Sequence, residues 1–389
     1  MRTQVAIIGA GPAGLVLAHL LSLRGIDSVV LERQSRAHIE ARIRAGVLEQ
    51  GTVALLERAG LAERLLRERM VHDGLELLFD GVGHRIPLTE LTGTPITIYG
   101  QHELVKDLVA ARLPRGPLLF EVSRVEVDGA TPLVTFTHEG QHHELACDII
   151  AGCDGFHGVS RPSIPDSELR VFEHDYPFAW LGILAQAPPS SEELIYGYHR
   201  RGFALHSMRS PRLTRLYLQV PHDEDLGRWP DERIWEELRI RLARDWQTWE
   251  LADGPIVERG ITGLRSFVVD PMRYRHLFLA GDAAHIVPAT GAKGLNLAVA
   301  DVGVLAEAVG DYFESGSESL LDSYSETCLR RVWRVQHFSW WMTSMLHRAP
   351  SGDAFIEQLQ LSQLRYVTSS HAAATSFAEN YVGLPLKGV

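Results

Sequence analysis

The sequence predicts an α/β fold in three parts: a doubly wound, Rossmann-like sheet, a smaller antiparallel sheet and a helical C-terminal region. Three observations carry this reading. A buried apolar strand opens into a glycine-rich turn and an apolar helix at the start of the chain. Strand-like stretches dominate from Val171 to about Gly281. An aromatic-rich helical run, Leu320 to Leu346, follows them.

The first element is the apolar run Val5-Ala6-Ile7-Ile8, which leads directly into Gly9-Ala10-Gly11-Pro12-Ala13-Gly14 and a helical pattern from Leu15 to Leu23. A second strand, Ser28 to Leu31, ends at Glu32. In such a unit Gly9 permits the tight turn, Gly11 lets backbone approach a pyrophosphate, and Gly14 allows close helix–sheet packing. The helix N-terminus offers N–H groups and a positive dipole end to phosphates. Glu32 is placed to accept hydrogen bonds from a ribose, and an acid there disfavours a 2′-phosphate on that nucleotide. The N-terminal unit therefore reads as a site for FAD or NAD.

The same lobe is expected to run to about residue 171. Past a basic stretch beginning at Arg42, the segment from Glu49 to Leu66 has helical periodicity, with Val53, Leu55, Leu56, Leu61 and Leu65 as core positions. Residues 131–151 read as two strands around Glu139-Gly140, with Val134 and Phe136 facing Leu145, Ile149 and Ile150. The second of them runs into Gly152-Cys153-Asp154-Gly155, another strand-end turn. In the middle of the chain, Trp180–Leu184, Glu193–Tyr196, Phe203–Met208 and Arg215–Val220 read as strands, followed by an amphipathic helix around Trp235–Leu242. Leu277-Phe278-Leu279 then returns to the first sheet and ends at Gly281-Asp282. In the tail, Trp333, Phe338, Trp340 and Trp341 form a stripe suited to core, to an interface, or to both.

Composition bounds the partners. The 389 residues are 45% hydrophobic and 22% charged, as in an ordinary globular enzyme. The net charge of −11 disfavours nonspecific nucleic-acid binding. Only three lysines occur, so arginine supplies nearly all the positive charge. Cys147, Cys153 and Cys328 show neither metal-ligand spacing nor an even disulfide framework and read as small buried residues. With no leader-like or membrane-length apolar segment, a cytoplasmic protein with no membrane partner is expected.

Three strand ends converge in this reading: Gly9–Gly14 with Glu32, Asp154-Gly155, and Gly281-Asp282. In a doubly wound sheet ligands bind there. GAGPAG with Glu32, CDG at Cys153–Gly155 and AGDAAH at Ala280–His285 resemble the three fingerprints of the single-component, class A flavoprotein aromatic hydroxylases. RIRAGVLEQG (Arg42–Gly51), YGQ (Tyr99–Gln101), AGCDGFHG (Ala151–Gly158), LRSFVV (Leu264–Val269), TGAKGLNLA (Thr290–Ala298), FSWWMTS (Phe338–Ser344) and ENYVGLP (Glu379–Pro385) extend the resemblance over the whole chain. It implies a glutathione-reductase-type FAD-binding domain over 1–171, an antiparallel-sheet substrate domain over 172–280, and a flavin-contacting segment with helical interface region over 281–389.

By the same resemblance, Glu32 holds the adenosine ribose of FAD, and Arg42, Ile43, Arg44, Ala45, Gly46, Val47 and Gln101 line the flavin nucleotide. Asp282 is implied to bond the ribityl chain. Lys293, Gly294, Leu295 and Asn296 are implied to present backbone N–H groups to the isoalloxazine. Ser207, Met208 and Arg209 match a Ser-x-Arg motif whose guanidinium takes a benzoate carboxylate. Tyr217 contacts the same carboxylate in the family, and Arg215 resembles an arginine facing the flavin. Tyr196 and Tyr381 match a pair whose hydroxyls relay the phenolic proton outward, with His72 at the solvent end. Where the family usually has two prolines before TGAKG, this chain has Pro288-Ala289. Ala289 keeps the carbonyl beside the reacting ring but loses the fixed φ.

The implied activity is hydroxylation of 4-hydroxybenzoate to 3,4-dihydroxybenzoate with NAD(P)H and O2. A close relative of that acid, such as the 3,4-dihydroxy compound, is the alternative substrate. In the family the reduced flavin takes up O2 as a C4a-hydroperoxide, and the cofactor performs the oxygen transfer. No second GxGxxG is present, so NAD(P)H is expected in a surface cleft near Arg33, His38, His157, Arg161 and Arg265. Arg33 and Arg36 favour a 2′-phosphate and Glu40 repels it, so use of both coenzymes is expected. The family also implies a homodimer.

Overall fold

The computed structural model describes residues 1–42, 46–245, 249–349 and 352–385. Two large sheets organise them. The first has six strands in the order Arg273–Tyr274, Leu277–Leu279, Ile149–Gly152, Val5–Ile8, Ser28–Leu31, Leu118–Leu119. All neighbours are parallel except the outermost pair, Arg273–Tyr274 with Leu277–Leu279. The three central strands are buried at every position: the helices Pro12–Leu23, Gln101–Arg112 and Gly294–Ser315 pack together on the sheet, and Val134, Phe136 and Leu145 of the three-stranded antiparallel sheet Ser123–Asp128, Leu133–His138, Gln141–Ala146 join the same core. Leu15, Leu17 and Leu21 anchor the helix Pro12–Leu23 in that core, where it packs against the helix Gly294–Ser315.

The second sheet has eight strands, in the order His285–Ile286, Ile256–Asp270, Arg170–Ala185, Leu213–Pro221, Ala204–Ser210, Leu194–Gly197, Leu75–Phe79, Val82–Ile86. The hairpin Leu75–Ile86 comes from within the first sheet's stretch of sequence. It joins through a parallel pairing with Leu194–Gly197, so the sheet is mixed rather than purely antiparallel. Side chains alternate between the two faces. Ala179, Leu181, Ile183, Leu216 and Leu218 pack on Ile234, Trp235 and Leu238 of the helix Asp231–Arg241. The opposite face carries Trp180, Tyr196, Leu205 and Tyr217, under Phe338, Met342, Leu364, Phe377 and Tyr381 of the C-terminal helices.

Two local expectations change. The helix expected over Glu49–Leu66 is two helices, Gln50–Arg58 and Glu63–Glu68. Between them Gly60 adopts a positive φ of 70°, which ends the first helix. The strand expected to pair with Val134 and Phe136 also divides. Gln141–Ala146 forms the hairpin across Glu139-Gly140, whereas Ile149 and Ile150 pair with Val5 and Ala6 in the first large sheet. Cys147 and Asp148 make the transition, their N–H groups donating to Pro132 and Gln4 carbonyls rather than to either ladder. Among the described residues no helix is long and apolar enough to cross a membrane.

Candidate active site

The strand order brings the three expected turns side by side. Val5–Ile8 lies between Ser28–Leu31 and Ile149–Gly152, with Leu277–Leu279 next in line. Gly9 N–H donates to Leu31 O at 2.8 Å, Cys153 N–H to Ile8 O at 2.8 Å, and Ala280 N–H to Gly152 O at 3.0 Å. Glu32 is buried, and its carboxylate accepts from the N–H groups of Ala10 (2.8 Å) and Gln34 (2.7 Å). The first strand is thereby tied to the second at the point where they open. Asp154 turns its Oδ2 onto the N–H groups of Val159 and Ser160 at 2.7 and 2.9 Å, while its buried Oδ1 has no partner. Asp282 sits in the 3-10 turn Gly281–Ala283 that follows Leu277–Leu279.

A second cluster surrounds the start of the helix Gly294–Ser315. Asn296 Oδ1 accepts from Glu49 N–H (2.9 Å) and Thr52 Oγ1 (2.8 Å), and its Nδ2 donates to Val47 O (3.0 Å). Lys293 is 2% exposed, and its ammonium donates to Glu49 Oε1 at 2.7 Å and to the Tyr381 carbonyl at 2.6 Å. Arg331 donates to the other Glu49 oxygen at 2.8 Å. Burial pulls the Lys293 pKa down and the charge of Glu49 opposes it. No side chain caps this helix, so the first-turn N–H groups of Gly294, Leu295 and Asn296 are presented from a fixed support.

The aromatic side of the site lies on the inner face of the eight-stranded sheet. Tyr196 pairs with Leu205, and Ser207 with Arg215, which puts their side chains on one face with Tyr217. Arg209 is 9% exposed. Its Nη1 donates to Met208 O (2.9 Å) and Ser207 Oγ (3.3 Å), its Nη2 reaches the Tyr217 hydroxyl at 3.5 Å, and its Nε has no acceptor. Burial holds its pKa below the usual arginine value. Among the described residues no carboxylate pairs with it. Arg215 is paired with Glu258 at 3.1 Å and lies over the Tyr217 ring at 5.3 Å. The Ala289 carbonyl, expected beside the reacting ring, accepts Ala292 N–H at 3.0 Å within the 3-10 turn Ala289–Gly291.

Tyr196 and Tyr381 meet hydroxyl to hydroxyl at 2.7 Å, both buried. Burial raises both pKa values. His72 differs from its expected place at the solvent end. Its ring is 2% exposed, because the pleat of Met70–His72 turns Val71 outward and His72 inward. Among the described residues neither ring nitrogen has a hydrogen-bond partner, and no direct bond joins His72 to Tyr381. Burial lowers its pKa to about 4, so the imidazole is neutral near pH 7.

Residues 2–339 match the profile of the FAD binding domain family. The p-hydroxybenzoate hydroxylase of Acinetobacter baylyi is 49% identical over 389 residues, covering 99% of this chain and 96% of that protein. The chain belongs to the p-hydroxybenzoate hydroxylase family. It is thus a class A, FAD-dependent aromatic hydroxylase. A probable NADH-specific resorcinol 4-hydroxylase of Rhodococcus jostii is 26% identical, over 82% of this chain and 61% of that protein. Among solved structures, p-nitrophenol 4-monooxygenase from Pseudomonas putida superimposes with a TM-score of 0.80 at 17% identity, covering 98% of this chain and 99% of that one. That likeness speaks for the fold.

The family's cofactor fits the glycine loop on steric grounds. A Cβ on Gly14 would stand 2.0 Å from Gly9 O and one on Gly9 2.5 Å from Cys153 O, so both must be glycine to close the turn. A Cβ on Gly11 would meet nothing within 4 Å, which marks its open side as the approach for a phosphate. The helix behind it has no side-chain cap. Gly46 is equally constrained, since its Cβ would stand 2.0 Å from Tyr99 O, and Gln101 opens the next helix, Gln101–Arg112. Arg42 ends the helix Arg36–Ala41. Ile43, Arg44 and Ala45 lie outside the described residues.

The expected coenzyme residues form two groups. Arg161 stacks over Phe156 and Phe267 at 4.6 and 4.7 Å, and Arg265 lies over Phe156 at 4.9 Å, with the His157 ring edge-on to Phe156. Arg33 and His38 are exposed on and before the helix Arg36–Ala41, and no hydrogen bond or ion pair joins them to the first group. Arg36 and Glu40 on that helix pair with each other at 2.7 Å.

Several residues that hold the site were not singled out from the sequence. Glu49 lies inside RIRAGVLEQG, and its place in that matched segment was the available signal. His285 and Asp301 form a buried pair at 2.6 Å, and Asp301 also accepts Gly281 N–H at 2.9 Å, fixing the turn that carries Asp282. Burial opposes charge on His285, but the charge and hydrogen bond of Asp301, with the charge of Asp282 beside it, together raise the pKa. Nothing local in the sequence marks the pair Asp301 and His285, because neighbours 16 apart meet only through the fold.

Proposed function

We propose that the protein hydroxylates 4-hydroxybenzoate at the carbon ortho to its hydroxyl, giving 3,4-dihydroxybenzoate and water from O2, NAD(P)H and a proton. The observation that carries this reading is Arg209. A buried guanidinium without a carboxylate partner is costly unless a ligand supplies the anion, and a benzoate carboxylate fits its fork. Ser207 and Tyr217 complete that end of the pocket.

FAD, when bound, supplies the reduction and the activation of oxygen. The protein's part is to seat the ring, exclude water and move a proton. With the carboxylate on Arg209, the para hydroxyl of the substrate points along the sheet face toward Tyr196. The phenolic proton passes to the Tyr196 oxygen as the Tyr196 proton moves to Tyr381. Burial disfavours a phenolate on either tyrosine, so each gives a proton as it takes one, and charge is left on the substrate ring. That charge raises the nucleophilicity of the ortho carbon. The proton is passed on from Tyr381 across a bridging water to His72, which stays neutral by taking it at one ring nitrogen and releasing one from the other toward solvent. Packing of Phe203, Met208 and Phe377 keeps the pocket dry.

Arg161, Arg265 and His157, with Arg33 and the helix carrying His38, are the proposed coenzyme surface, and the Arg36–Glu40 pair suits use of NADH as well as NADPH. Exposed Phe172, Trp333 and Trp340 suit a homodimer interface. Three free, buried cysteines suit the cytoplasm. The test is to mix the purified protein with 4-hydroxybenzoate and either NADH or NADPH in air and to identify the product. Coenzyme oxidation that yields only hydrogen peroxide, or turnover only with 3,4-dihydroxybenzoate, would overturn the reading.

A further inference from the structure

Tyr217 is held by more than its neighbours in the pocket. Its ring lies 4.7 Å from that of Trp180, tilted by 46°. The Arg215 guanidinium lies over the same ring at 5.3 Å, with Gly182 leaving the space for it: a Cβ there would come within 2.8 Å of Arg215 Nη2 and 3.3 Å of Tyr217 Cε1. Trp180 is an aromatic wall against which Tyr217 rests.

Trp180 is in turn fixed by a single acceptor. Its Nε1–H donates to His347 Nε2 at 2.6 Å. His347 Nδ1 lies 2.9 Å from the Thr343 carbonyl, which can only accept, so the proton sits on Nδ1 and Nε2 is left as the acceptor. One neutral tautomer satisfies both bonds. Burial lowers the His347 pKa to about 3, which keeps that tautomer uncharged. The imidazole lies parallel to Phe178 (4.6 Å, 3°) and against Phe203 at 4.4 Å. The backbone around it is also tied: Gln360 Nε2 donates to His347 O at 2.6 Å, and Gln219 Oε1 accepts Arg348 N–H at 3.0 Å. The end of the helix Tyr324–Leu346 is thus fastened to the strand that carries Tyr217.

We propose that His347 is a positioning residue for carboxylate recognition, holding the Trp180 indole so that the Tyr217 hydroxyl stays beside Arg209. The proposal rests on the reading of Arg209 and Tyr217 as the carboxylate site. His347 touches neither substrate nor cofactor in this scheme. Its effect is on which aromatic acids bind, and it travels through two ring contacts.

The test measures dissociation constants of 4-hydroxybenzoate and of neutral 4-hydroxybenzamide from flavin absorbance changes in the holoenzyme. His347→Gln, and the milder Trp180→Phe, are compared in the wild-type and Tyr217→Phe backgrounds. Each should weaken 4-hydroxybenzoate about threefold or more, leave the amide nearly unchanged, and add nothing once Tyr217 is phenylalanine. Equal weakening of both ligands, or effects that multiply in the Tyr217→Phe background, would show His347 to be a packing residue only and end the proposal. Should Tyr217→Phe alone leave 4-hydroxybenzoate affinity intact, Tyr217 has no part in the carboxylate site and the inference falls, while the reading of Arg209 stands or falls on Arg209→Met. Trp180→Phe keeps an aromatic ring beside Tyr217 while removing the N–H donor and part of the indole, so loss of folding in His347→Gln does not remove the test.

Discussion

The hydroxyl oxygens of Tyr196 and Tyr381 lie 2.7 Å apart although 185 residues separate them in sequence. One sits on a sheet strand and the other on the last described helix, and the contact fastens the two together. Replacing either with phenylalanine leaves the packing and breaks the proton path. Hydroxylation in single turnover should slow by about 10²-fold, with flavin content unchanged. Normal product yield and rate in both variants would remove the relay.

Arg209 predicts opposite effects on binding and on stability. Arg209→Met should weaken 4-hydroxybenzoate by about 10²-fold or more, because charge-assisted bonds to a buried anion are lost. In the absence of substrate the same change should raise stability by about 1 kcal/mol, since an unpaired buried cation is replaced by a thioether. Titration followed by flavin absorbance, and thermal unfolding without ligand, read the two effects.

His72, His206 and His347 are buried, and burial lowers their pKa values to about 4, about 4 and about 3, from an ordinary 6.5. The unfolded chain therefore binds more protons than the folded one below pH 6.5 or so. Stability is full above that pH and is lost as the pH falls toward 4, by up to about 1.4 kcal/mol per unit for each histidine. Urea midpoints should drop between pH 7 and 5, and His206→Asn should flatten the slope. A pH-independent midpoint over that range would contradict the burial argument.

Gly14→Ala should cost the cofactor. The added methyl would stand 2.0 Å from the Gly9 carbonyl, a backbone atom that can move only by opening the phosphate turn. The purified variant should carry less than about a tenth of the normal flavin per chain, on the ~1–3 kcal/mol scale of an overpacked site. The ratio of visible to ultraviolet absorbance measures it.

On the helix Arg36–Ala41, Glu40 neutralises Arg36. Glu40→Gln frees that guanidinium for a 2′-phosphate and should lower KM for NADPH relative to NADH by about two- to fivefold, the scale of an exposed ion pair. An unchanged ratio of the two KM values would place the coenzyme phosphate elsewhere.

Much of this architecture is legible in the residues. Val5–Ile8, the glycine turn and Glu32 announce the first sheet because apolar periodicity and turn chemistry are local properties. Strand-like composition likewise marks Phe203–Met208, and alternation of polar and apolar residues marks Arg215–Val220. What escaped depends on distant partners. Nothing in Leu75–Ile86 says that this hairpin leaves its own neighbourhood to extend the eight-stranded sheet. The inward turn of His72 follows from a pleat set by Ile96 across the ladder. Tyr196 and Tyr381 look like ordinary half-buried phenols until the fold brings them together, and only the resemblance to a family paired them beforehand. That Arg209 has no acidic partner among the described residues is visible only in the folded chain.

The eight-stranded sheet draws strands from 75–86, from 170–270 and from 285–286. No cut between consecutive segments separates a self-sufficient nucleotide module from a self-sufficient aromatic module. A fragment ending near residue 171 would carry a two-stranded ribbon with one edge bare, and the complementary fragment would lack its outermost strands. Activity should return when the two halves are co-expressed and not when either is supplied alone, and exchanging substrate preference between relatives requires grafting the ribbon together with the middle of the chain.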